Sequence, residues 1–558
     1  MNNNVEPVQE PAAVPLAWLT IETLLYGLIF IVAIGLRLWR LGATPLNNVE
    51  AQHALAALSL YQGEIPVSDI YSPLIATTNL LGFLLMSPSD TTARLMMALT
   101  GSLLVILPLL LRRQLGSKVA LISAALLAIS PTAVFLSRIL NGEMLTAVGA
   151  LMIVAGFFNW ADDGKQGWLF AAATGLAILM TAGPMSFSLL VIFIVVVLVR
   201  WSAFKALYRQ GVSYNVPPDD TRGLPSQLRN SLFFFVVVLL ILGTAGTLNL
   251  AGLGVTSSLL NEWFSRFTVQ PPEDAGFNAV FMLVIYEPLL VVAGVIGLVY
   301  ALLGKNLLRQ SIAGWFLGML VLDLLMVGRA PGTIILSLLP LVLLAAIALA
   351  EFWESLARFG RWNNEGVILG AGLVIFGFAY IGLTGWLERP CNPEDTVCQL
   401  AWLQSIAALV LFAVIVIFFW FINGVAVALR GAALTGVVLG MLAMISFGWR
   451  LNYGPLMNLV YQPLAGVPAA TDLAALRNTL IDESLLRTGD QHMLDITVIG
   501  LDSPALRWQL RDFKNIRTIP TVNSDLAGTA AIITTRTETG ELNLGEAYVG
   551  QDLSLIHI

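Results

Sequence analysis

The chain has 558 residues, of which 57% are hydrophobic and 11% charged. Soluble domains carry roughly 25% charged residues, so this composition excludes an ordinary soluble protein. The net charge of -6 is small for this length and gives nucleic-acid binding no electrostatic support.

Residues 1–15 are polar and acidic, without the basic segment and small-residue cleavage site of a removable signal peptide. They are expected to form a disordered cytoplasmic N-terminus, followed by a retained first span over 16–38. A helix needs about 20 apolar residues to cross the hydrocarbon. Runs of that kind lie near 18–38, 92–111, 118–136, 143–160, 167–183, 185–200 and 231–250. Others lie near 278–303, 311–328, 331–350, 366–386, 400–421 and 425–447. The expected architecture is an all-α polytopic membrane bundle of about thirteen spans over 16–449.

Loop charges orient the bundle, because cytoplasmic loops are enriched in Lys and Arg. One alternate set holds Arg112, Arg113 and Lys118, then Arg200, Lys205, Arg209, Arg222 and Arg229, then Lys305, Arg309, Arg358 and Arg361. The opposite set contains 40–90, 251–277, a loop with Cys391 and Cys398, and everything after Trp449. The second set is expected outside, in a multi-pass protein of the cytoplasmic membrane. Two cysteines in one polar loop on an oxidising side suggest a disulfide.

After the last span, residues 450–552 read as a small extracytoplasmic α/β domain. A surface helix over 471–486 precedes LDITVIG at 494–500, which alternates and is β-branched as a strand should be. Ser503-Pro504 opens a helix. Strands follow at 517–522 and 529–535. Asp502, Arg507, Arg511 and Asp512 are expected on a solvated helix face, in an accessory module. No glycine-rich phosphate loop accompanies the domain, so nucleotide binding has no motif. Residues 553–558 (LSLIHI) read as a non-native end of a truncated frame.

Chemistry concentrates in the first outer loop. Residues 48–61 suit an amphipathic helix on the membrane surface, with Glu50 and His53 three apart on one face. Tyr71-Ser72-Pro73 follows, then Arg94-Leu95 opens the second span. Glu143 follows Ser137-Arg138 at the outer mouth of the fourth span. Charged groups at span ends are costly unless paired or hydrated, which makes them functional candidates. Arg329, in VGRAPGTIILSLLP, joins Arg94 and Arg138 as a candidate phosphate ligand, since guanidinium groups bind phosphate bidentately. Arg329 could equally pair with Asp323. Glu287, beside Pro288, either lines a cavity or packs as a neutral acid. With three histidines and no metal-spaced cluster, no metal site and no cofactor are expected.

The order of these features resembles the GT-C fold glycosyltransferases, in the branch of protein O-mannosyltransferases and aminoarabinose transferases. The resemblance rests on RLWRL, a proline and acid, the surface helix, the Tyr-x-Pro element and Arg94-Leu95. Ser130-Pro131 and the Ser137-Arg138 pair with its acid complete it, and the match covers about residues 16–160. It implies a polyprenyl-phosphate sugar donor, an acceptor protein, lipid or glycan at the outer face, and inversion at the anomeric carbon. It also implies a first-loop Asp, usually in an Asp-Glu pair, as base. Here Asn47-Asn48-Val49-Glu50 retains the Glu while Val49 or Asn48 stands for the Asp. An amide cannot take a proton as a carboxylate does. Glu50 is then the base, Glu143 substitutes for it, or the chain is an inactive scaffold. A transport or lipid-translocation protein is the rival from another class.

Overall fold

The computed structural model describes residues 20–66, 72–214, 225–269, 279–328, 330–360, 362–387, 396–454, 472–501, 503–520 and 529–534, with side chains of 381–387, 396–399, 401 and 402 excepted. Tyr71, Arg329, Cys391 and the Cys398 side chain fall outside that set, and so do the expected disulfide and the 553–558 tail.

Helices begin where the sequence supplies a cap. Thr20, Asn47, Ser72, Ser89, Ser130, Asn141, Asn306 and Ser503 each accept a hydrogen bond from a backbone N–H three residues on. Helix α1 spans Ile21–Leu38, α2 Asn48–Gln62, α3 Pro73–Leu85 and α4 Asp90–Ile106. A 3-10 turn leads from α4 into α5 (Arg112–Leu115). The expected span at 118–136 is instead two helices, α6 (Ser117–Ile129) and α7 (Pro131–Leu136). Pro131 has no N–H to continue the helix, and Ser130 caps the new one.

Helix α8 (Gly142–Asp163) packs on α9 (Gln166–Ala182) through facing glycines. A Cβ on Gly175 would lie 2.5 Å from the Gly149 carbonyl oxygen, so only glycine allows this approach. Next, α10 (Ser186–Val199) turns by 93° into the amphipathic α11 (Trp201–Ser213). Then come α12 (Ser226–Gly243) and the loop helix α13 (Gly252–Ser265). The expected span at 278–303 is broken by 112° at Glu287-Pro288 into α14 (Ala279–Tyr286) and α15 (Pro288–Leu303).

Helices α16 (Leu307–Leu325) and α17 (Ile334–Phe359) follow, and the window containing α17 is 100% buried within the protein. It is the axis of the bundle. Three long helices finish the membrane part: α18 (Trp362–Leu387), α19 (Thr396–Asn423) and α20 (Val425–Tyr453). All thirteen expected spans fall on helices. Among the described residues eight are long and apolar enough to cross alone, or up to ten when each bent pair counts as one span. Helices α3, α6 and α9 are apolar but shorter.

The C-terminal domain holds α21 (Asp472–Thr488), β1 (Ile496–Ile499), α22 (Pro504–Leu510), β2 (Ile516–Ile519) and β3 (Ala531–Thr534). Its three strands are parallel, in the order β2-β1-β3. The domain shares one apolar core with the segment between α1 and α4, Leu506, Trp508 and Leu510 joining Leu46, Ala54 and Phe83. Loop and domain therefore stand on the same face of the bundle. Ion pairs Arg113–Asp163, Lys118–Glu354 and Arg309–Glu351 gather on the opposite face, at the far ends of α8 and α17.

Arg511 corrects the expected solvated helix face. It lies over the Trp508 ring at 4.2 Å and donates to the Pro88 carbonyl. Trp508 is fully buried, stacks on Phe83 and donates from Nε1 to Asp90 at 2.6 Å. Truncating a buried Trp typically costs about 3–5 kcal/mol. Trp508→Ala should therefore release the domain from the α3–α4 hairpin, read as faster hydrogen exchange at 496–510 with α17 unchanged. Unchanged exchange at 496–510 would count against this latch.

Candidate functional site

The face that carries the C-terminal domain is assembled around Asn47-Asn48-Val49-Glu50. Asn47 Oδ1 accepts from the Glu50 N–H, and Glu50 Oε2 accepts from the Asn47 N–H, closing a capping box at the start of α2. The same carboxylate meets Arg94 of α4 side-on, with Nε to Oε1 at 2.7 Å and Nη2 to Oε2 at 2.6 Å. Leu140 N–H also donates to Oε1 at 3.0 Å. Arg94 in turn donates to the carbonyls of Thr44 and Pro45. Glu50 and Arg94 are 2% and 3% exposed. They are therefore each other's partners, joining α2, α4, the 41–45 loop and the entry to α8.

Asn48 faces the C-terminal domain. Its Oδ1 accepts from Ser503 Oγ at 2.8 Å and from the Ala505 N–H at 3.2 Å, at the first turn of α22. Sequence reasoning missed this contact, which spans more than 450 residues. Arg138 has a comparable structural duty. It donates to the carbonyls of Leu36, Arg37, Trp39 and Arg40 at the end of α1, and lies 4.8 Å over the Tyr453 ring. Carbonyls at a helix C-terminus lack intrahelical partners, and a cation there satisfies them. Arg37, also missed as a site residue, is buried and donates to Ala33 and Leu127 carbonyls.

His53, on the Glu50 face of α2, accepts from the Ser72 N–H through Nδ1 at 3.3 Å. Ser72 caps α3 and donates to the Thr181 carbonyl at the end of α9. Next to Thr181, Ala182 meets Gly142, where a Cβ would lie 2.1 Å from the Ala182 oxygen. Glu143 follows in the first turn of α8, partly buried. Its carboxylate rests on Gly332, whose added Cβ would fall 2.8 Å from Oε2. The Gly332 segment is held by a 3-10 turn at Pro331–Thr333. The preceding stretch is fixed by Val327 and Gly328 N–H groups donating to the Arg266 carbonyl. His53, Glu143 and the chain flanking Arg329 are thus linked by successive contacts at one rim. Asp323 lies inside α16 and accepts from Ser337 Oγ.

Burial pushes the His53 imidazole down to about 4, against the raising effect of the Glu50 charge. The unfolded reference is about 6.5. The neutral ring therefore contributes stability that is complete above about pH 6.5 and is lost as pH falls toward 4. His53→Asn should flatten the pH dependence of Tm across that window. A parallel slope in wild type and variant would assign the dependence elsewhere.

No protein-family model matches the chain, and no curated protein does. Solved structures do match. ArnT from Cupriavidus metallidurans in the apo state aligns over 91% of this chain and 86% of its own, at 15% identity and a TM-score of 0.50. The chain has the GT-C fold. The same ArnT bound to undecaprenyl phosphate aligns over 94% of this chain and 90% of its own, at 15% identity and a TM-score of 0.49. The apo oligosaccharyltransferase of Archaeoglobus fulgidus aligns over 90% of this chain and 64% of its own, at 13% identity and a TM-score of 0.47. Within this GT-C bundle, the loop that follows α1, the mouth of α8 and residues 326–328 and 330–333 share one face.

Proposed function

We propose that the protein is a membrane glycosyltransferase that moves a sugar from a polyprenyl phosphate to an acceptor at the outer face. The observation that carries this reading is the Glu143 carboxylate seated against Gly332, three residues after Arg329, on a GT-C bundle. Glu143 is the base: it takes the proton of the acceptor hydroxyl. The hydroxyl oxygen bonds to the anomeric carbon while the bond from that carbon to the phosphate oxygen breaks, with inversion. Arg329 receives the departing phosphate, a role suited to a guanidinium. Positioning of both reactants in one rigid bundle supplies much of the acceleration. The ArnT structure bound to undecaprenyl phosphate concerns that protein; it supports the same class of donor here.

On this reading Glu50, Arg94 and Arg138 are positioning residues, because their polar atoms are engaged within the protein. His53 aligns the Ser72–Pro73 turn beside the site. The C-terminal domain covers the loop from outside the membrane, in line with the basic loops on the other face.

A specific observation favours a second reading, an inactive scaffold. Asn48 is committed to the C-terminal domain, Val49 is apolar and Glu50 is paired with Arg94, so none of the positions where the resemblance expects an acid offers a base. Radiolabelled polyprenyl-phosphate sugars separate the two. Turnover by wild type that falls in Glu143→Gln supports the transferase, and donor binding without turnover supports the scaffold.

A further inference from the structure

A cavity of about 910 Å³ opens among α8, α9, α10, α11, α12 and α16, toward the face opposite the C-terminal domain. It lies near the upper end of the range for small-molecule pockets, about 300–1,000 Å³. Its walls are almost wholly apolar, built from residues such as Phe157, Phe193 and Phe235. Two buried donors interrupt that lining: Ser231 Oγ and Trp315 Nε1 have no hydrogen-bond partner among the described residues. Leaving such groups unsatisfied carries a desolvation penalty, so a ligand with acceptor oxygens is favoured there.

The rim carries charge of one sign. Lys205 and Arg209, both exposed on α11, line the cavity, and among the described residues no carboxylate does. Among the described residues neither cation has an ion pair. Helix α11 leaves α10 at 93° and has a basic polar face with Phe204 buried beneath, the form of a helix lying in the membrane interface. Ser231 lies about 8 Å, and Trp315 about 12 Å, along its own helix from that helix's first residue. Cations at the surface, donors one to two turns inside and an apolar interior form a polarity gradient.

We infer that this cavity binds an anionic phospholipid of the leaflet opposite the C-terminal domain. The phosphate sits at Lys205 and Arg209, ester carbonyls accept from Ser231 and Trp315, and an acyl chain fills the interior. The site is separate from the rim around Glu143, at the other end of α8, and does not depend on the transferase reading.

Native mass spectrometry of the full-length protein in detergent tests it, with phosphatidylglycerol, phosphatidylcholine and undecaprenyl phosphate as separate probes. Phosphatidylglycerol should bind with one tight equivalent and outcompete phosphatidylcholine. The exposed double substitution Lys205→Gln/Arg209→Gln should weaken it about tenfold or more, since each basic group near an anionic headgroup contributes about a factor of five. Ser231→Ala should weaken it further without changing the preference for the anionic head. Equal binding of phosphatidylcholine, or phosphatidylglycerol binding indifferent to the double substitution, would overturn the proposal. Undecaprenyl phosphate displacing phosphatidylglycerol from this site would also overturn it, assigning the cavity to the sugar donor's tail.

Discussion

Arg94→Ala is expected to cost about 3–5 kcal/mol of stability, the range for removing one partner of a buried ion pair. The cause is specific. Without Arg94, the Glu50 carboxylate remains 2% exposed with only the Asn47 and Leu140 N–H groups to hold its charge. Carbonyls of Thr44 and Pro45 lose their donor as well. Glu50→Gln should be milder, because the amide oxygen still accepts from Arg94 and Arg94 keeps the Thr44 and Pro45 carbonyls. Replacing both by apolar residues, Glu50→Met with Arg94→Leu, should recover part of the loss. Thermal melting in detergent reads all three. A small effect of Arg94→Ala, within about 0.5 kcal/mol as for ordinary surface substitutions, would mean that the pair does not hold the loop.

The second large effect concerns rate. Glu143→Gln keeps the shape of the side chain at the mouth of α8 and removes its capacity to take a proton. Loss of a general base typically lowers turnover about 10²–10⁴-fold. Donor binding should be unchanged, since the phosphate contact is assigned to Arg329. Gly332→Ala offers an independent arm, because the new methyl would come 2.8 Å from Glu143 Oε2 and displace the carboxylate without removing it. Turnover should fall there too, by less than in Glu143→Gln. Arg329→Ala should weaken donor binding instead.

Much of this architecture was legible because it is set by local pattern and composition. Hydropathy located each span, and Ser-Pro and Glu-Pro pairs carried the two breaks in plain view at Ser130-Pro131 and Glu287-Pro288. The span count alone hid those breaks, since a proline-broken helix leaves the apolar run continuous. The capping box was legible too: Asn at 47 and Glu at 50 are the signature of a helix start. That signature competes with a catalytic reading of Glu50, as a carboxylate that caps a helix is already spending acceptor sites.

Long-range pairings were not legible. Arg94 is 44 residues from Glu50, and Asn48 is 455 from Ser503. Nothing in spacing or charge announces which buried cation meets which acid. Arg511 looked solvated because Asp502, Arg507 and Asp512 surround it in sequence. Its face is buried only because α22 lies on the α3–α4 hairpin, a tertiary fact. The cavity beneath α11 was invisible for the same reason. Lys205 and Arg209 looked like part of a basic cytoplasmic loop, and only the 93° turn brings them to its rim.

The most direct test is turnover of a radiolabelled polyprenyl-phosphate sugar by purified wild type, Glu143→Gln and Glu50→Gln, each normalised to folded protein. The account predicts measurable transfer by wild type and a loss of about 10²-fold or more in Glu143→Gln. Glu50→Gln should retain turnover per folded molecule to within a few-fold. Full turnover by Glu143→Gln, with abolition in correctly folded Glu50→Gln, would contradict the assignment of the base. Absence of transfer by wild type with any tested donor, despite donor binding, would contradict the transferase itself.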